Sequence, residues 1–212
     1  MSSRKQKLIE YWRSEKIIID ERVLDAFANV PREEFVPEHL KDRAYDDIAL
    51  PVLGGQTISQ PTTVMMMTQA LDVQPGHNVL EVGTASGYQA SLLAELAGKE
   101  GHVYTTEIVP ELYAYGKRKL KKYNNVSVFN RDGIEGVEEF APFDRIIVTA
   151  ACPEIPQPLI DQLNKDGIIV APVGTLHTQK MVVGVKKGKK FSTHSIGEFV
   201  FVPLTGKHGF NK

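Results

Sequence analysis

From His77 onward, short β-rich runs alternate with helical patterns, and few architectures accept that order. The runs are "HNVLEV", "GHVYTTEI", "NVSVFN", "FDRIIVTA" and "DGIIVAPVG"; helical spacing fills Gln89 to Ala97 and Pro110 to Lys121. Strands joined through helices need crossover connections, so the expected fold class is α/β, a doubly wound, mostly parallel sheet covered on both faces. Later, "KMVVGVKKGKKFSTHSIGEFVFVPL" holds two strand runs joined by the basic turn "KKGKK". That pattern is a hairpin, and it adds antiparallel strands at the C-terminal end. The earlier part of the chain is helical instead. Leu8, Ile9 and Trp12 recur at helical spacing, and Val23, Leu24, Phe27 and Ala28 share a face after an N-cap at Asp20. "DDIALPVLGGQTISQP" is expected to be a long irregular loop, a kind often functional, followed by a helix with Pro61 at its start.

At 212 residues the chain suits one domain, and a chain of this size removes roughly 70% of its unfolded surface from water. A net charge of -1 argues against broad capture of nucleic acid. The single cysteine, Cys152, forms no internal disulfide and fits a reducing compartment. "MSSRKQKLIEYWRSEK" is too charged for a signal peptide, and no apolar run is long enough to span a bilayer. A cytoplasmic protein is expected. The six histidines lack metal-ligand spacing, so no metal is expected. Cys152, "MMM" at Met65 to Met67, and "KKGKK" take structural readings: a thiol without the flanking charges of an activated nucleophile, a gap-filling run and a solvated hairpin tip.

In a doubly wound sheet, ligands sit at the carboxyl ends of strands where strand order reverses. The first strand-to-helix turn is therefore the place to look. Within "VLEVGTASGYQASLLAEL", Gly83 and Gly87 bracket three small residues. The spacing is G-x-x-x-G, not the G-x-G-x-x-G of dinucleotide binders, and Glu81 just before it disfavours a phosphate and suits an amine or a cation. Glu107 ends the second strand run, where an acid commonly accepts both ribose hydroxyls. Asp132, followed by Gly133, comes after the third, where a carboxylate suits an adenine amine. Each acid alone is also an ordinary turn or cap residue. Together they describe a ligand with an amine, a ribose and an adenine but no phosphate, which is S-adenosylmethionine. Glu81, Gly83, Thr84, Ser86, Gly87, Glu107, Asp132 and Gly133 are the candidate cofactor-binding residues.

The stretch "VLEVGTASGYQASLLAEL" resembles motif I of class I methyltransferases, and more narrowly that of the protein-L-isoaspartate O-methyltransferases. "LPVLGGQTISQPTTVMMMTQAL" is similar to that family's P-L-x-x-G-x-x-I-S-x-P segment, and "FDRIIVTAACPEIPQPLIDQLNKDGIIVAPVG" to its I-V-T-A-A and V-P-V-G text. "VPREEFVPEHLKDRAYDDIALP" and "FVPLTGKHGF" fit its two ends, so the likeness covers nearly the whole chain. Motif I specifies only the superfamily; "ISQP" makes the resemblance specific. There are departures. Ala85 replaces the usual middle glycine, and a positive φ there would cost about 1–2 kcal/mol. Arg131 stands where glycine is common before the Asp-Gly pair, and Cys152 falls in a variable segment.

The resemblance implies a Rossmann-like class I methyltransferase fold, a single domain over 1–212. Residues 1–75 would carry the helices and the substrate loop, and 76–212 the donor-binding core. It implies methyl transfer from S-adenosylmethionine to the free carboxylate of L-isoaspartyl residues in damaged proteins and peptides. It makes Ser59 the candidate catalytic residue, orienting that carboxylate through a neutral hydroxyl; read locally, Ser59 is a turn serine. Thr57, Ile58 and Gln60 shape the same loop. Leu53, with Val52, and the later Val202, Pro203 and Leu204 are candidates for the peptide groove, or are plain core and strand residues. The expected partners are isoaspartyl proteins and peptides, with no nucleic acid and no membrane, and the expected state is a monomer. The alternatives are a class I methyltransferase acting on RNA or a small molecule, an NAD-dependent oxidoreductase, and a non-catalytic adaptor. The RNA reading rests on the basic "KRKLKK", Lys117 to Lys122; the NAD reading lacks its glycine spacing.

Overall fold

The computed structural model describes residues 3–207 and 209–210; His208 of the "FVPLTGKHGF" segment lies outside the described residues, as do Met1 and Ser2. Two helices open the fold, α1 (Ser3–Ser14) and α2 (Glu21–Asn29), the second capped by Asp20, whose side chain accepts from the Arg22 amide. Trp12 is fully buried, its ring edge-on to Phe27 at 4.7 Å. The segment expected to be irregular instead holds a small antiparallel ribbon, β1 (Leu50–Pro51) and β2 (Thr57–Ile58), paired Leu50 to Ile58. Helix α3 (Pro61–Leu71) follows with proline in its first turn, as expected.

The α/β part runs β3 (Asn78–Val82), α4 (Tyr88–Ala97), β4 (His102–Glu107), α5 (Pro110–Leu120), β5 (Val126–Asn130), β6 (Phe143–Val148), α6 (Gln157–Asp161), β7 (Leu163–Gly174), β8 (Gln179–Lys187) and β9 (Lys190–Phe199). The sheet order is β5-β4-β3-β6-β7-β8-β9. The first five are parallel and the last two antiparallel, which is the expected fold class. The hairpin turns at Gly188, whose φ is 59°.

Strand residues alternate between two hydrophobic layers, as the two-residue side-chain period requires. Val79, Ile147 and Val170 face a layer with Trp12, Phe27, Met65 and Leu92 from the helices. Leu80, Ile146 and Ile169 face the other, with Ile134, Val137 and Leu159. That second face is covered by short pieces. Two 3₁₀ turns, Gly133–Glu135 and Glu138–Phe140, stand where a crossover helix would lie between β5 and β6. The N-terminal helices therefore share one core with the sheet. Among the described residues, no helix is long and apolar enough to cross a membrane.

Candidate active site

Strand order reverses around β3, because the chain runs outward to β5 and then returns to β6 on the other side. A crevice opens above the carboxyl ends of such strands. Here it is a cavity of about 790 Å³, within the range of small-molecule sites. Its walls come from the ends of β3, β4 and β6, from residues 56–60 and α3, and from residues 198–205.

Glu81 is fully buried in the β3 end. Its Oε2 accepts from the Thr105 hydroxyl, and the Thr105 and Thr84 hydroxyls are 2.6 Å apart. Its Oε1 has no hydrogen-bond partner. Burial is the main cause that pushes its pKa up to about 8; the Thr105 bond opposes this, and Glu107 adds to it. A cation or an amine brought beside it would restore its charge.

Glu107 is held rather than free. Its Oε2 accepts from the Ala85 amide and its Oε1 from the Val109 amide, both at 3.0 Å. Each oxygen keeps a second lone pair, so two acceptors are fixed in direction. The Asn130 side chain donates to the Glu107 carbonyl at 2.7 Å and ties the β4 and β5 ends together. Asp132 caps the next turn, its Oδ1 accepting from the Ile134 amide at 3.0 Å. Its Oδ2 accepts from the Lys207 amide at 3.1 Å.

The turn between β3 and α4 needs its first glycine. Gly83 has φ 104°, and a Cβ there would fall 2.3 Å from the Thr149 hydroxyl, which bonds the Val82 and Gly83 carbonyls. Ala85 adopts φ 42°, the positive region that Ala85 was expected to find costly. Gly83, Thr84, Ser86 and Gly133 line the cavity with the three acids. Gly87 does not; it bends the chain into α4 and packs on Leu120.

Ser59 lines the same cavity, before α3. No side chain of Gln60 caps that helix; Asp47 does so from a distance, accepting from the Thr62 amide at 2.9 Å and from its hydroxyl at 2.7 Å. The Trp12 indole donates to the same hydroxyl at 2.8 Å, so α1 braces the loop. Thr57, Ile58, Gln60, Val202, Pro203 and Leu204 line the cavity as well. Leu53 does not: its 3₁₀ turn projects outward and leaves it 48% exposed. Backbone pairing of Ala151 with Val202 and Leu204 holds the 198–205 wall in place, and the buried Gln179 side chain accepts from the Phe201 amide. Phe199, Phe201, Tyr88 and Leu112 also line the site and were missed in the sequence; their apolar side chains read as ordinary core.

The residues read as structural keep that character. Cys152 is buried with its thiol pushed up to about 12. Met65 and Met67 are buried. Two lysines of the basic run, Lys119 and Lys122, bond to Glu34.

A sequence profile of the protein-L-isoaspartate(D-aspartate) O-methyltransferase family matches residues 3–209. The chain belongs to this family. A protein-L-isoaspartate O-methyltransferase of Methanocella arvoryzae is 51% identical over 85% of this chain and 97% of its own length. One of Methanothrix thermoacetophila is 46% identical over 98% and 97%. Among solved structures, a protein-L-isoaspartate O-methyltransferase superposes with a TM-score of 0.87 at 27% identity, covering 97% of this chain and 67% of that one. A Plasmodium falciparum protein described as a family member, solved with S-adenosyl-L-homocysteine, shares the fold at a TM-score of 0.83 and 24% identity, with 97% and 99% covered.

Proposed function

We propose that this isoaspartate methyltransferase binds S-adenosylmethionine and an isoaspartyl peptide together in this cavity, and methylates the free carboxylate of the peptide. One observation carries the reading: Glu81, Glu107 and Asp132, from three successive strand ends, line one cavity together with Ser59. The acids suit the donor, since Glu81 is a buried carboxyl with an unpartnered oxygen, where an amine fits. Glu107 offers two directed acceptors for a ribose, and Asp132 with Gly133 suits the adenine edge. S-adenosylmethionine supplies a methyl group on a positively charged sulfur.

The acceptor is a carboxylate, ionised at neutral pH. It needs no base, and the site's task is to place its oxygen in line and exclude water. Ser59 orients that carboxylate by donating from its hydroxyl. Thr57, Ile58, Gln60 and the wall Val202, Pro203 and Leu204 receive the peptide, with Leu53 at the rim. The methyl ester then cyclises spontaneously to a succinimide with loss of methanol, and hydrolysis returns part of it to normal aspartate. Residues 1–75 supply the acceptor loop and 76–212 the donor core of one domain, working as a cytoplasmic monomer.

Labelled methyl transfer to matched peptides tests this. Base-labile labelling of the isoaspartyl peptide alone is expected; equal labelling of the aspartyl peptide, or none of either, would refute it.

A further inference from the structure

Behind Ser59 lies a charge that the site as described does not use. Arg32 opens a short 3₁₀ turn and is completely buried. Its Nε donates to the Ala44 carbonyl at 2.8 Å and its Nη2 to the Ser59 carbonyl at 2.7 Å. Its guanidinium lies 5.0 Å from the centre of the Tyr88 ring, which lines the cavity. Nη1 and the Tyr88 hydroxyl are both buried without a well-formed hydrogen bond, although the two groups attract each other. Among the described residues, no carboxylate lies within ion-pair distance of Arg32. Neighbouring Glu33 accepts from the Tyr45 hydroxyl, and Asp47, bonded to Thr62, attracts Arg32 only from beyond ion-pair distance.

Buried charges are paired as a rule, because an unpaired one is costly. A guanidinium does not escape by losing its proton. Both of its acceptors are neutral carbonyls, and one belongs to Ser59, which lines the cavity. We infer that Arg32 is a positioning residue, without a contact ion pair of its own, whose charge attracts the acceptor's carboxylate across the Ser59 loop. This rests on reading the cavity as the isoaspartyl site. Attraction through a poorly solvated wall is stronger than through water. It also disappears once the carboxylate becomes a neutral methyl ester, so the same charge that draws in the substrate releases the product.

The test uses two peptides that differ only at the reacting group, isoaspartyl and its neutral amide isostere, isoasparaginyl. Binding of each is measured by calorimetry to full-length protein saturated with S-adenosylhomocysteine. The wild type is expected to prefer the acid. Arg32→Gln should lower affinity for the acid about tenfold and leave the amide unchanged. Arg32→Lys, which keeps the charge, should keep the preference. Equal losses for both peptides in Arg32→Gln would reduce Arg32 to a loop anchor and overturn the inference. So would a folded Arg32→Lys without the preference, or a wild type that binds both alike; these outcomes stand even if Arg32→Gln does not fold. Failure of the wild type to methylate the isoaspartyl peptide would instead sink the functional reading.

Discussion

Ala85 pays a conformational penalty at the centre of the donor turn. Its φ of 42° is one that L-residues avoid, and its amide is fixed by Glu107. Ala85→Gly should therefore stabilise the protein by about 1 kcal/mol; a denaturant midpoint that stays level or falls would show the turn to be unstrained. Glu107 is best probed by Glu107→Gln, because removing the whole side chain would strand the Ala85 and Val109 amides. Donor affinity should drop about tenfold, and calorimetry showing no change would take the ribose away from Glu107. Ser59→Ala should lower turnover about tenfold with donor affinity untouched if its hydroxyl orients the acceptor as proposed; an unaltered rate would leave it a turn residue.

At the scale of elements, the segment after the 198–205 wall borders Asp132, the residue proposed to meet the donor's adenine. Gly206 lies flat on the Asp132 carboxylate, with φ 131°, and a Cβ there would come 2.4 Å from Oδ2. Gly206→Ala should displace the segment and weaken donor binding while the thermal transition of the sheet stays in place; unchanged donor affinity would show that the segment does not border the adenine. The sequence made the regular elements legible because they satisfy local rules: proline starting α3, Asp20 capping α2, and strand and helix periods alternating after His77. It hid the rest because tertiary contacts create it. The β1–β2 ribbon has only two residues per strand, too few for any period to register. Arg32 in "VPREEF" looks like a solvated charge and is instead completely buried. Phe199 and Phe201 carry the pattern of a strand end, and only the pairing of Ala151 with this segment brings them over the cavity. The three acids were legible because each closes a strand run, although Asp132 also caps a turn and Glu107 also binds amides.

For the whole molecule, Glu81 couples folding, donor and pH. Its pKa rises from the usual 4.5 to about 8 in the folded protein. The folded state thus holds a proton that the unfolded state releases. Stability from this group must fall as pH rises from about 4.5 to 8 and level off beyond. Denaturation curves of Glu81→Gln set against wild type across that range should lack this slope; parallel curves would contradict it. Donor binding favours the charged carboxylate, so affinity should climb toward pH 8 with proton uptake by buffer, which calorimetry in two buffers detects. A pH-independent donor affinity would separate Glu81 from the donor's amine.

The wall formed by residues 198–205 also has a bearing on biosynthesis. A ribosome that has translated only as far as β8 has already made Glu81, Glu107, Asp132, the glycine turn and Ser59, but not the 198–205 wall of the same cavity. A nascent chain of that length should therefore fail to methylate, with activity appearing only after residues 198–205 have emerged and paired with Ala151.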